Sequence, residues 1–153
     1  MNLRTKVENL LADALDQNPS LFLIELKIGI DNSIRIILDG DQGVLLKDCM
    51  SISRAIEHNL DRDEEDFSLE VASAGVGTSL KNHRQYVKNI GRKLEVEISE
   101  GSHLQGTLTL VDKNGFSLKW KQREPKPIGK GKVTVEKQKT LSYDTIVSAK
   151  VII

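Results

Sequence analysis

The sequence is poor in cysteine, histidine, proline and aromatic residues, and each scarcity narrows what the chain can do. A single cysteine, Cys49, cannot close a disulfide within the chain. No histidine or second cysteine stands at metal-ligand spacing from it, so a reducing compartment and no metal site are expected. His58, His83 and His103 are scattered over a helix, a connecting segment and a turn, where each reads as an exposed residue. No nucleophile, base and orienting group come together in the sequence, which argues against an enzyme and against a cofactor. No apolar run approaches the ~18 residues of a membrane span. Acidic residues interrupt the apolar periodicity of the first 17 positions, unlike a signal peptide. A soluble cytoplasmic protein without membrane contact is the expectation.

Charge is plentiful and unevenly placed. Formal net charge is zero, yet residues 1–90 hold 10 Lys and Arg against 15 Asp and Glu, and residues 91–153 hold 12 against 7. Such segregation is expected of an acidic module joined to a basic one.

The hydrophobic pattern changes along the chain in the same sense. Leu3, Val7, Leu10, Leu11, Ala14 and Leu15 recur at helical spacing up to Asn18-Pro19, where the pre-proline restriction disfavours more helix. Alternating apolar residues from Phe22 to Ile30 and from Ile34 to Leu38, separated by Asp31-Asn32-Ser33, predict a hairpin. Cys49, Ile52, Ile56 and Leu60 share a second helical face that lacks a Ser, Thr, Asp or Asn cap before Lys47. After the acidic stretch 61–66, Phe67, Leu69 and Val71 alternate as a third strand. From Arg92 onward only strand signals remain, five in about 60 residues, which suggests a small barrel. Asn114-Gly115 predicts a hairpin turn with positive φ at both residues, and Gly106 a sharp bend. The fold is therefore expected to be α+β: an acidic α-β-β-α-β domain over residues 1–72, a linker over 73–84, and a basic five-stranded barrel over 85–153.

Three short motifs are weak. Gly75-Val76-Gly77 has Leu80 where a dinucleotide loop needs its third glycine, and Asp39 and Asp41 lack the closing glutamate of a calcium loop, Met50 standing there instead. Gly40-Asp41-Gln42-Gly43 has a GXXG form but lies in the acidic half, where phosphate would be repelled.

The segment 119–139 is the strongest functional feature. It carries Lys119, Lys121, Arg123, Lys126, Lys130, Lys132, Lys137 and Lys139 against Glu124 and Glu136, a net +6. That density is expected of a phosphate-binding strip for RNA, and Pro125, Pro127, Gly129 and Gly131 predict an irregular, mobile loop. Base-specific readout is not indicated, because aromatic residues are nearly absent beyond Trp120.

Along almost its whole length the chain resembles one family. IRIILDGDQGVLLKDCMSISRAIEHNLD is similar to the hairpin and second helix of the RimP-type ribosome maturation factors, and FSLEVASAGVGTSLKNHRQYVKNIGRKLEVEI to their third strand, linker and first barrel strand. LQGTLTLVDKNG and YDTIVSAKVII are similar to the later strands. The resemblance implies an SH3- or Sm-like C-terminal barrel, a cytoplasmic location, no enzymatic activity and a role on the immature 30S subunit. Where the family usually reads Ser-Ser-Pro-Gly and then Asp-Arg, this chain has Ala72-Ser73-Ala74-Gly75 and then Gly77-Thr78, so the linker motif carries over only at Ser73 and Gly75. Losing the proline enlarges the backbone freedom of that linker. A monomer is expected, its partners being ribosomal RNA of the pre-30S particle and a basic small-subunit protein attracted by the acidic half. The rival reading is a free-standing Sm-like RNA module, suggested by Gly106-Thr107-Leu108 with Asp112 and Asn114.

Overall fold

A computed structural model describes residues 2–75 and 77–152, so Val76 of the Gly75-Val76-Gly77 segment lies outside the described residues. The chain divides into two compact units, Met1–Gly75 and Val76–Ile153. At this boundary the charge asymmetry is larger than the first count indicated: 7 Lys and Arg against 15 Asp and Glu before it, and 15 against 7 after it.

The first unit runs α1 (Leu3–Asp16), β1 (Leu21–Ile28), β2 (Ser33–Gly40), α2 (Leu46–Glu57) and β3 (Ser68–Ser73), the order that the periodicities predict. Asn2 caps α1 by accepting from the Thr5 N–H at 2.8 Å. At α2 the missing cap is supplied from inside the helix, where the Asp48 carboxylate accepts from the Leu45 N–H at 2.9 Å. β2 is the central strand, antiparallel to β1 and parallel to β3, and α2 is the crossover that a parallel pair requires. Ile34, Ile36 and Leu38 on one face of β2 pack with Val7 and Leu11 of α1 and Ile52 and Ile56 of α2. Each such fully buried side chain contributes about 1.5–3 kcal/mol. The acidic stretch before β3 is tied down by Arg62, which donates to the Phe67 carbonyl at 2.6 Å and lies 4.1 Å from the Phe67 ring centroid.

The second unit runs α3 (His83–Lys88), β4 (Lys93–Ile98), β5 (His103–Val111), β6 (Gly115–Pro125), β7 (Lys132–Ser142), a 3₁₀ turn (Tyr143–Thr145) and β8 (Ile146–Val151). Its strands form one antiparallel sheet in the order β7-β6-β5-β4-β8 around Leu94, Val96, Leu108, Phe116, Leu118 and Ala149. The hydrogen bonding thus defines a sheet with β7 and β8 at its edges. Helix α3 has no counterpart in the sequence reading. Asn82 caps it, the Gln85 side chain accepts from the Lys81 and Asn82 N–H groups at 2.7 and 3.0 Å, and Tyr86 is its one buried large residue. One buried aromatic produces no apolar period.

Two glycines act through close approach, not through the turn geometry that the sequence suggests. Neither Asn114 nor Gly115 has positive φ, and the turn is instead closed by Asp112, whose carboxylate accepts from both N–H groups at 2.8 and 3.0 Å. A Cβ at Gly115 would collide with the Leu141 carbonyl oxygen of β7. At Gly106 a Cβ would lie 3.0 Å from the Lys119 carbonyl, whereas the ladder irregularity falls between Leu108 and Leu110.

Tyr86 stacks on Phe116 with centroids 4.8 Å apart and leans on Tyr143 at 5.1 Å. Burial, and then the neighbouring Tyr143, push its phenol up from 10.0 to about 12. The folded state therefore holds the proton more tightly than the unfolded chain. That stability is fully present below pH 10 and is lost as pH rises through about 12. The second unit is expected to destabilise across this alkaline window, and Tyr86→Phe to flatten the dependence. Chemical denaturation followed by the fluorescence of Trp120, the only tryptophan in the chain, measures it; identical pH profiles for both proteins would contradict the assignment.

Candidate nucleic-acid interface

The segment expected to be a mobile loop is mostly a β-hairpin. β6 and β7 pair continuously from Gly115↔Ser142 to Pro125↔Lys132, leaving only residues 126–131 as the turn. Lys119, Lys121 and Arg123 lie on β6, Lys132, Lys137 and Lys139 on β7, and Lys126 and Lys130 in the turn. The prolines and glycines mark the turn and the last residue of β6, Pro125, with Gly129 and Gly131 at φ 84° and 98°. The ladder between β5 and β6 ends at Thr107↔Lys119, so the outer part of the hairpin, residues 120–125 and 132–137, projects as a two-stranded arm.

Strand alternation divides the six cations on the strands between two faces. Lys119, Lys121 and Arg123 share one face with Gln138, Glu136 and Thr134 opposite, and Lys132, paired with Pro125, continues it. Lys137 and Lys139 lie on the other face, opposite Trp120 and Leu118. Each face holds one of the two acids. Glu136 pairs with Lys119 at 2.9 Å, and Glu124 pairs with Lys137 at 2.7 Å. The Lys137 hydrogen bond is the main reason that the Glu124 carboxyl is held below its ordinary range. Arg123 donates to the Thr134 hydroxyl at 3.1 Å. Among the described residues, Lys121, Arg123, Lys126, Lys130, Lys132 and Lys139 make no ion pair, so six of the eight positive charges have no acidic partner.

At the base of the arm an open groove of about 680 Å³ runs along the Lys119 face. Lys93 of β4 lies across it, level with Thr107 and Lys119 in the register, and Gln105 and Thr109 of β5 supply neutral hydrogen-bonding groups. The sequence reading missed these residues because they are far from the basic segment in the chain and only strand register joins them to it.

Ser73 ends β3 opposite Leu38, the Ala74 N–H donates to the Leu38 carbonyl at 2.8 Å, and Gly75 is the last residue of the first unit. Cys49 is buried, and its thiol is pushed up by that burial and then by Asp48, the opposite of what a reactive thiolate needs. Among the described residues no cluster of three or more His, Cys, Asp or Glu side chains is placed to hold a metal, and no helix is long and apolar enough to cross a membrane.

Comparison with known proteins agrees with the resemblance along the chain. Residues 10–77 match the family model of the RimP N-terminal domain. A ribosome maturation factor RimP of Christiangramia forsetii is 56% identical over 149 residues, covering 97% of each chain. The protein of the same name from Flavobacterium psychrophilum is 49% identical over 153 residues, covering 100% of this chain and 99% of its own. A more distant one from Chlorobium phaeobacteroides is 29% identical over 95% of this chain and 93% of its own. With such identity over both units, the chain belongs to the RimP family of ribosome maturation factors.

Proposed function

We propose that this protein acts in ribosome maturation by binding the immature 30S subunit in the cytoplasm as a monomer, without catalysing a reaction. The relatives' shared name, ribosome maturation factor, supports the process. The observation that carries the RNA contact is the basic hairpin, where six cations have no acidic partner and the outer part exposes both faces. Phosphates of ribosomal RNA are the matching ligand, and release of their counterions drives the association.

The acidic first unit, with 15 acids against 7 bases, has the charge to attract a basic small-subunit protein, and opposite fields make such encounters fast and salt-sensitive. Ser73 and Gly75 are the positions where the linker between these two roles keeps the family's residues. The second unit reads as a small barrel of the SH3 or Sm-like kind. The pairing of its first strand, β4, with its last, β8, and the short 3₁₀ connection from β7 to β8 support that reading.

Sedimentation of the full chain with 30S precursors, mature 30S and 70S particles tests the reading. Selective association with the precursors is expected; equal association with all three, or with none, would overturn it. Ring-shaped oligomers in solution would favour the free-standing Sm-like alternative instead.

A further inference from the structure

The groove at the base of the arm has a geometry that charge density alone does not convey. Lys119, Lys121 and Arg123 form a straight file on one face of β6, with neighbours about 7 Å apart because every second residue of a strand points the same way. Lys93 and Thr107 extend a row sideways from Lys119 across β5 and β4. The one acid lining the groove is Glu136, and it is bound to Lys119 at 2.9 Å. A single file of cations suits one extended phosphate chain, whereas an A-form RNA duplex presents two backbones across a deep, narrow major groove and a wide, shallow minor groove. Trp120 borders the groove but alternates out of the row of cations, so the file itself offers phosphate contacts.

We propose that this face is a phosphate track for an extended single strand of RNA, in which Lys119, Lys121 and Arg123 meet successive phosphates, Lys93 and the Thr107 hydroxyl flank the first, and Glu136 competes with RNA for Lys119. The inference rests on the RNA-binding reading above and locates it on one of the two hairpin faces. Glu136 acts as an internal substitute for phosphate: it satisfies Lys119 when the track is empty and weakens the bound state when it is filled.

Glu136→Gln and Glu124→Gln provide the test, because each removes one negative charge from the same hairpin and they differ only in face. Affinity of the full chain for a labelled oligouridine, and for an RNA duplex of equal length, is measured by anisotropy over a salt series. Glu136→Gln is expected to tighten single-strand binding about threefold to fivefold and to steepen the salt slope by about 0.7, the increment of one further phosphate on a single strand. Glu124→Gln is expected to leave the slope unchanged, and Lys121→Ala to flatten it by about 0.7. Equal effects of the two glutamine variants would overturn the track while leaving RNA binding intact. Preference for the duplex would overturn the single-strand assignment, and absence of any RNA binding by the wild-type chain at low salt would overturn the RNA-binding reading itself.

Discussion

Replacing Phe116 by alanine is expected to unfold the second unit and leave the first folded. Phe116 is 1% exposed, stacks on Tyr86 and touches Tyr143, so its loss removes the centre of the aromatic cluster. Phe→Ala at such a site costs about 3–5 kcal/mol. A unit of under 80 residues holds only about 4–11 kcal/mol at the usual stability per residue, and small cores fall toward the lower end. The core of the first unit consists of other residues, from Leu3 to Phe67, and carries none of this penalty. Trp120 fluorescence reports the second unit alone, while the helical circular dichroism comes mainly from α1 and α2. Loss of the native tryptophan signal with retained helical signal is the expected result. Simultaneous loss of both would show that the two units share one cooperative transition.

The second large effect concerns salt. If the hairpin neutralises about four phosphates, RNA affinity should fall with a logarithmic slope of roughly −3 to −4, or on the order of a hundredfold between 50 and 200 mM salt. Replacing Lys126, Lys130 and Lys132 together with alanine removes three of the six cations that have no acidic partner. The slope should flatten, and affinity should fall to a similar degree for unrelated RNA sequences. Stability should change little, because exposed charges of this kind contribute little to folding. An unchanged slope and affinity would mean that the arm is only a solvated connection between two strands.

The elements that sequence revealed are those with one buried face. α1, α2 and the strands of both units alternate or repeat apolar residues at the period of their own geometry, so Val7, Leu11, Ile52 and Ile56, or Leu94, Val96 and Ile98, announce both the element and its buried side. The outer part of β6 did not announce itself because both its faces meet solvent. Beyond Trp120 the strand continues through Gln122 and Glu124 on one face and Lys121 and Arg123 on the other, which reads as a polar loop unless the pairing partner is known. The turn breakers that suggested a mobile segment occupy only its tip and the last residue of β6, Pro125. Helix α3 was invisible for the opposite reason, since polar side chains, Asn82 and Gln85, organise it and a single tyrosine anchors it. The cations themselves were legible as charge. Their division between two faces, and the recruitment of Lys93, Gln105 and Thr107 from earlier strands, depend on register, which no local pattern specifies.

We propose that the basic hairpin holds this protein on the immature small subunit. The most direct test is sedimentation of the folded Lys126, Lys130 and Lys132 triple alanine variant beside the wild-type chain on gradients loaded with 30S precursors. Wild type is expected to travel with the precursors and the variant to remain at the top of the gradient. Equal co-sedimentation of both would contradict it and place the contact surface elsewhere on the molecule.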